Sequence, residues 1–175
     1  MKPIIARPGI DEAPAYYERY VDIVSGGDAY AFMEKQLENI PAYIKSISES
    51  KSEFRYAPGK WSVKELISHI TDCERVFSYR ALTFARGESI ALPGFDQDVW
   101  IKNIPFDLYS LADLAEEFET VRKGTLLVYK NLSEEALLRK GIANKNEVSV
   151  RAIAYITAGH AEHHLSILQS RYFGK

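Results

Sequence analysis

The sequence predicts an all-α protein, a four-helix bundle with a long crossover connection between its second and third helices. Four stretches repeat apolar residues at spacings of three and four, which is the period of an amphipathic helix. No stretch shows a sustained alternation of apolar and polar residues, so no strand is predicted. Residues 88–109 lack helical periodicity, and this segment is long enough to cross the bundle. We expect one domain over residues 1–175, with residues 1–27 as an N-terminal extension packed on the bundle.

The first two helices have recognisable start signals. Asp28 follows two glycines and is a suitable N-cap for a first helix over residues 28–48, in which Pro41 predicts a kink or a break. The second helix starts in "KWSVKEL", where Ser62 and Glu65 form an S-x-x-E capping box. Gly87 is a natural end for it.

The last two helices also begin at serines. Ser110 precedes the third helix, and Asp113 stands three residues later. The segment "LSEEALLRKG" predicts a short turn of helix before a loop, "IANKNE". Ser149 then caps a fourth helix that we expect to run to about Tyr172.

Composition excludes several classes of function. The 22 basic and 24 acidic residues give a net charge of −2, which does not favour nucleic acid as a partner. The apolar runs are far shorter than the ~20 residues that span a bilayer, and the first residues do not resemble a signal peptide. A single cysteine, Cys73, fits a reducing compartment, and we expect a cytoplasmic protein.

Three of the four histidines lie within "GHAEHHLSIL", residues 159–168. At about 100° per residue, His160 and His164 fall on the apolar face of the fourth helix, and His163 falls on its edge. Histidines one turn apart can bind one metal ion, although buried histidines are also held by hydrogen bonds alone. The remaining histidine, His69, lies on the buried side of the second helix.

Three motifs carry a resemblance to a known family. The stretches "GKWSVKELISHITDCERVFSYR", "LPGFDQDVW" and "GHAEHHLSIL" together resemble the DinB-like (DinB/YfiT) superfamily of small metal-binding bundles. The resemblance implies a four-helix bundle, often a homodimer, with a histidine triad that falls here on His69, His160 and His164. His163 is then not a ligand. Family members often have a Gln where this chain has Ile167.

The resemblance also implies a divalent metal ion as cofactor, with zinc or nickel favoured and iron or manganese also suited to the ligands. We expect a thiol-dependent S-transferase of the bacillithiol type, with a small-molecule substrate and a low-molecular-weight thiol. A metal-dependent hydrolase is the alternative, and a non-enzymatic metal-binding protein of a stress response is a third. Hydrolysis needs a general base, for which the acidic candidates are Asp96, Asp98 and Glu162.

Other polar residues of the second helix leave alternatives open. Arg75, Arg80 and Arg86 could bind an anionic cosubstrate, or they could form surface salt bridges. Cys73 lies one turn from His69 and could be a soft ligand, a reactive thiol or an inert buried side chain.

Overall fold

The computed structural model describes residues 3–174, and this part of the chain forms seven α-helices and one β-hairpin. The helices are α1 (Glu18–Val21), α2 (Ala29–Ser46), α3 (Val63–Ala85), α4 (Gln97–Lys102), α5 (Leu111–Tyr129), α6 (Glu134–Leu138) and α7 (Val150–Ile167). The strands are β1 (Lys140–Ala143) and β2 (Asn146–Ser149). A π-helical turn, Leu168–Tyr172, extends α7. Short 3-10 turns lie at Ala15–Tyr17, Ser25–Gly27, Glu49–Lys51 and Phe106–Leu108.

The four long helices, α2, α3, α5 and α7, start where the sequence predicts. Ser62 and Glu65 form a reciprocal capping box at the start of α3, and Ser110 and Asp113 form a second one at the start of α5. The Ser149 side chain accepts a hydrogen bond from the N–H of Ala152 and so caps α7. Each cap satisfies a backbone donor that the first turn of a helix leaves free, which fixes the start of the helix.

The four long helices form the bundle. Helix α2 packs against α5 and α7, and α3 packs against the same two helices, so the consecutive helices α2 and α3 stand on a diagonal. Lys64 Nζ donates to the Phe106 carbonyl oxygen at 3.3 Å, and Arg75 pairs with Glu117 at 2.8 Å. Lys64 and Phe106 lie near the starts of α3 and α5, and Arg75 and Glu117 lie further along the same two helices, so these neighbours run in one direction. Parallel neighbours need a crossover, which confirms the predicted long connection.

The prediction that the chain has no strand is wrong for residues 140–149. Strands β1 and β2 pair as an antiparallel hairpin, with a turn at Asn144 and Lys145, whose φ angles are positive at 48° and 67°. Leu92, in the crossover segment, bridges to Ala143. Each strand has only four residues, too few to show an alternating pattern in the sequence.

Two further expectations concern single elements. The predicted turn of helix in "LSEEALLRKG" is α6. Of the kink or break predicted at Pro41, a break does not occur, since α2 runs as one helix from Ala29 to Ser46 through this buried residue. Packing of α2 against two neighbouring helices outweighs the local preference of proline.

The apolar core consists of two clusters, one at each end of the bundle. One contains Met33, Phe84 and Tyr155, and the other contains Ile40 and Phe118. A layer of polar side chains lies where the clusters meet, and it includes the histidines. No helix within residues 3–174 combines the length and hydrophobicity that crossing a bilayer requires.

The segment before α2 packs on the bundle through backbone contacts. The Ala29 N–H donates to the Ile5 carbonyl oxygen at 3.1 Å, and helix α1 lies against α7. At Gly159 the two helices come so close that a Cβ atom there would stand 1.9 Å from the Tyr20 carbonyl oxygen. Glycine at this position therefore permits the approach of α1 to α7.

Candidate metal centre

Three histidines from two helices meet in the polar layer of the bundle. His69 comes from α3, and His160 and His164 come from successive turns of α7. One ring nitrogen from each lies within 4.8 Å of the others. The Nε2 atoms of His69 and His160 are 3.2 Å apart.

Burial keeps these imidazoles neutral. It lowers the pKa of His69 to about 4, against a partial opposing effect from the charge of Asp98. Burial also lowers the pKa of His164 to about 3 and that of His160 well below its usual value, with the neighbouring histidines adding to both shifts. Because only a neutral imidazole offers a lone pair to a metal, all three side chains are ready ligands at neutral pH.

The donor arrangement fits a divalent ion. Two nitrogens at zinc-ligand distance on a tetrahedral ion stand about 3.3 Å apart, close to the His69–His160 separation of 3.2 Å. His164 Nδ1 is buried and has no hydrogen-bond partner in the described part of the chain. A buried nitrogen without a partner is costly unless something binds it. An ion held by His69, His160 and His164 accounts for this nitrogen and for the facing nitrogens.

Aromatic rings hold the histidines in place. Trp61 packs on His69 with ring centroids 4.7 Å apart, and Phe77 meets His160 edge-on at 5.6 Å. Tyr20, on α1, also packs against His160, with ring centroids 5.5 Å apart. Sequence reasoning missed Trp61 as a neighbour of the histidines; its position eight residues before His69, about two helical turns, was the available signal.

His163 stands apart from the three clustered nitrogens, as its place on the helix edge predicts. Its ring contacts Tyr20 at 5.6 Å and His164 at 5.1 Å. Cys73 lies closer to the cluster, with Sγ 3.6 Å from His69 Nδ1. Burial raises the pKa of the Cys73 thiol to about 12, so this side chain is a protonated thiol rather than a ready nucleophile.

The three acidic candidates occupy different positions. Asp96 is the N-cap of α4, where its side chain accepts hydrogen bonds from the Asp98 and Val99 N–H groups. Glu162 accepts a hydrogen bond from Gln36 Nε2 at 2.8 Å, across the α2–α7 contact. Asp98 is exposed on α4, and its charge acts on His69. The charge of Asp98 opposes the effect of burial on the pKa of His69.

The polar layer continues on the far side of the bundle as a buried network that sequence reasoning missed. Arg122 forms a bidentate pair with Glu74, at 2.6 and 2.8 Å, and both side chains are buried. Its Nη1 donates to Gln36 Oε1 at 2.6 Å, and Gln36 donates in turn to the Ala158 carbonyl oxygen and to Glu162. The network joins all four long helices at the level of the histidines.

A cavity of about 410 Å³ lies beside the cluster, and His160 forms part of its wall. Tyr16, Tyr17 and Tyr20, from the N-terminal segment, form another part. Burial raises the pKa of Tyr20 to about 12 and raises that of Tyr17, so both phenols stay protonated and can donate hydrogen bonds. The volume suits a small organic molecule.

The three arginines of α3 have different environments. Arg75 forms surface salt bridges with Asp72 and Glu117. Arg86 is exposed at the C-terminal end of α3. Arg80 is buried and lines the cavity beside His160.

A family model of the DinB superfamily matches residues 33–168, a range that includes all three clustered histidines. The chain belongs to the DinB superfamily. The resemblance carried by the three sequence motifs is thus confirmed, and with it the relation to a family of metal-dependent proteins.

One named relative and one solved structure are similar to this chain. A protein of Oceanobacillus iheyensis, whose name assigns it provisionally to the metal-dependent hydrolases, is 26% identical over 128 residues, which cover 70% of this chain and 71% of the relative. YfiT from Bacillus subtilis, described as a probable metal-dependent hydrolase with an unusual four-helix bundle topology, superposes with a TM-score of 0.71. That match covers 86% of this chain and 90% of YfiT at 17% identity, and it confirms the four-helix fold.

Proposed function

We propose that this DinB-superfamily protein is a metal-dependent hydrolase of small molecules, with His69, His160 and His164 as the ligands of one divalent ion. The observation that carries the proposal is a cluster of three neutral imidazoles, one of which, His160, lines a cavity of about 410 Å³. Both relatives bear names that assign them to metal-dependent hydrolases. These names favour hydrolysis over the thiol-dependent transfer that the sequence alone suggested.

Three histidine ligands leave coordination positions open, as in catalytic rather than structural sites. A divalent ion there supplies Lewis acidity, which lowers the pKa of water and polarises a carbonyl. Imidazole donors suit zinc, nickel and ferrous iron alike.

The protein's own side chains supply the rest of the proposed site. Tyr17 and Tyr20 stay protonated in the cavity wall, where their hydroxyl groups can donate to a substrate oxygen. Asp98 is the acidic side chain that we assign as a proton acceptor, because it lies on α4, which packs against the helix of His69, and its charge acts on that histidine.

The test uses untagged protein, stripped of metal and then reloaded with zinc or nickel. A panel of p-nitrophenyl esters and anilides measures hydrolysis, and chlorodinitrobenzene with bacillithiol measures thiol transfer. We expect hydrolysis that returns on reloading, is lost in His164→Ala and persists in His163→Ala. The adjacent histidines make this a matched pair.

Two results would overturn the proposal. Turnover that requires the thiol cosubstrate would assign the site to transfer. Absence of turnover with both panels in fully loaded protein would assign it to metal binding without catalysis.

A further inference from the structure

Arg80 is a buried cation in the wall of the cavity that His160 also lines. Its side chain is on helix α3, and the residue is 5% exposed. Among residues 3–174 it has one hydrogen-bond acceptor, the Pro93 carbonyl oxygen, which lies 2.8 Å from Nη2. No carboxylate within residues 3–174 pairs with it, whereas Arg122, the other buried arginine, has a bidentate partner in Glu74.

The rest of the cavity wall does not balance this charge. Among the described residues that line the cavity, none is acidic. The titratable groups that act on Arg80 are the Tyr17 phenol, from the N-terminal segment, and the Cys73 thiol, on α3 itself. Burial raises the pKa of both, so both are neutral. A buried charge without a partner is unfavourable, so a bound anion would relieve an existing cost.

We propose that Arg80 binds a carboxylate of the substrate and thereby directs the substrate's reactive bond towards the histidine cluster. The inference rests on the proposed hydrolase function and adds a substrate class, small molecules with a carboxylate at one end. A single guanidinium among neutral amides and phenols matches one negative charge, which favours a carboxylate over a phosphate dianion.

Helix geometry sets the size of such a substrate. Arg80 follows His69 by three turns on the same face of α3, a rise of about 16 Å. Long side chains on a helix lean towards its N-terminus, which brings the guanidinium nearer to the histidines. The carboxylate and the reactive group are therefore separated by a distance on the order of 10 Å.

The test compares two series of straight-chain hydroxamic acids by calorimetry on the zinc-loaded protein. The hydroxamate binds zinc, and the far end of the chain is a carboxylate in one series and a methyl group in the other. Chains of roughly four to eight carbons bracket the expected span. At the best length we expect the carboxylate probe to bind about tenfold tighter than its methyl partner, as for a hydrogen bond to a charged group.

Variants assign this preference to Arg80. Arg80→Gln should abolish it, and Arg80→Lys should keep part of it, since lysine keeps the charge but not the fork of donors. Arg75→Gln is the matched control on the same helix and should keep all of it, because Arg75 lies in surface salt bridges. If Arg80→Gln fails to fold, two measurements on the wild-type protein replace it. The carboxylate probe should bind tighter than the methyl probe, and added salt should reduce this difference.

Each contrary outcome identifies what has failed. Equal binding of both series to wild type would overturn the role of Arg80 and leave the metal site intact. Binding of plain dicarboxylates that depends on Arg80, with no response to the hydroxamate, would support Arg80 and overturn the metal site. A phosphate-ended probe that binds tighter than the carboxylate would overturn the substrate class.

Discussion

The Nε2 atoms of His69 and His160 lie 3.2 Å apart, although 91 positions separate the two histidines in the sequence. Helices α3 and α7 are thus packed in a register that brings two ring nitrogens into contact. A metal ion between them would tie the two helices together, and its removal should lower stability by an amount that depends on its affinity and concentration.

Alanine substitutions should separate the ligands from their neighbour. We expect His69→Ala, His160→Ala and His164→Ala each to lose most of the bound metal, because an open three-ligand site has no ligand to spare. His163→Ala should retain it. Elemental analysis of untagged protein measures the difference, and equal losses at all four positions would show that His163 is also required.

Metal retention should extend to mildly acidic pH. The pKa values of His69 and His164, about 4 and about 3 in the folded chain, lie below the value near 6.5 of an exposed histidine. Folded imidazoles therefore stay neutral down to roughly pH 5, and zinc should dissociate only as the pH approaches ~4.

The same shifts predict the pH dependence of the metal-free protein. Between pH ~6.5 and ~4 the histidines are protonated in the unfolded chain but neutral in the folded chain. The free energy of unfolding should therefore decrease as the pH falls through this range. Dialysis at a series of pH values, followed by elemental analysis and thermal melts, tests both effects. A zinc-loss midpoint at or above pH ~6.5 would contradict the burial of the ligands.

Gly159 should be sensitive to a single methyl group. In Gly159→Ala the new Cβ would meet the Tyr20 carbonyl oxygen at 1.9 Å, so α1 must move away from α7. We expect a loss of about 1–3 kcal/mol in the free energy of unfolding. Gly124→Ala is the control, because a Cβ at Gly124 meets nothing within 4 Å, and alanine should stabilise α5 by about 0.5–1 kcal/mol. Urea denaturation of both variants measures the contrast, and similar effects would refute the close-contact explanation.

The buried Arg122–Glu74 pair should tolerate removal of both partners better than removal of one. Arg122→Met leaves the Glu74 carboxylate buried without its partner, and we expect a loss of about 3–5 kcal/mol in the free energy of unfolding. Adding Glu74→Leu should restore most of it. A double variant no more stable than Arg122→Met would show that the unpaired Glu74 carboxylate is not the cause of the loss.

Glu12 should make the attachment of the N-terminal segment sensitive to acid. Burial by itself raises the pKa of this carboxyl, but hydrogen bonds from Arg151, the Gly9 N–H and Ser149 outweigh burial and lower the pKa from 4.5 to about 2. The folded chain therefore holds this proton less tightly than the unfolded chain, and the stability due to Glu12 is lost as the pH falls from 4.5 towards 2.

Melting temperatures across this pH range test the role of Glu12. At neutral pH, Glu12→Gln should have a lower melting temperature than wild type, corresponding to a loss of about 1–3 kcal/mol in the free energy of unfolding. The variant should also lack the decrease in stability between pH 4.5 and 2. Asp11→Asn, at an exposed neighbouring side chain, should behave like wild type. Parallel pH profiles for wild type and Glu12→Gln would contradict the assignment.

Local chemistry made much of the fold predictable from the sequence. The boxes at Ser62 and Ser110 fix helix starts through side chains three residues away, and such short-range signals can be read from the sequence alone. Helical periodicity likewise put His160 and His164 on one face, and the structure brings both together with His69.

Contacts distant in sequence were not predictable in the same way. Glu74, the carboxylate partner of Arg122, is 48 residues away from it in the sequence, and Glu162, one acceptor for Gln36, is 126 residues away. No local pattern distinguishes Arg80, which lines the cavity, from Arg75, which lies on the surface. Their roles depend on how the crossover segment and the N-terminal segment cover α3, and tertiary packing decides this.

The match to the family model begins at residue 33, and the tyrosines of the cavity wall precede it. The clustered histidines thus lie inside the matched range, whereas one part of the cavity wall lies outside it. Exchange of the first 30 or so residues between two members of the superfamily would then replace the tyrosine side of the cavity and leave the histidines and Arg80 in place. Two chains that share the three histidines can therefore differ in the shape of the cavity beside them.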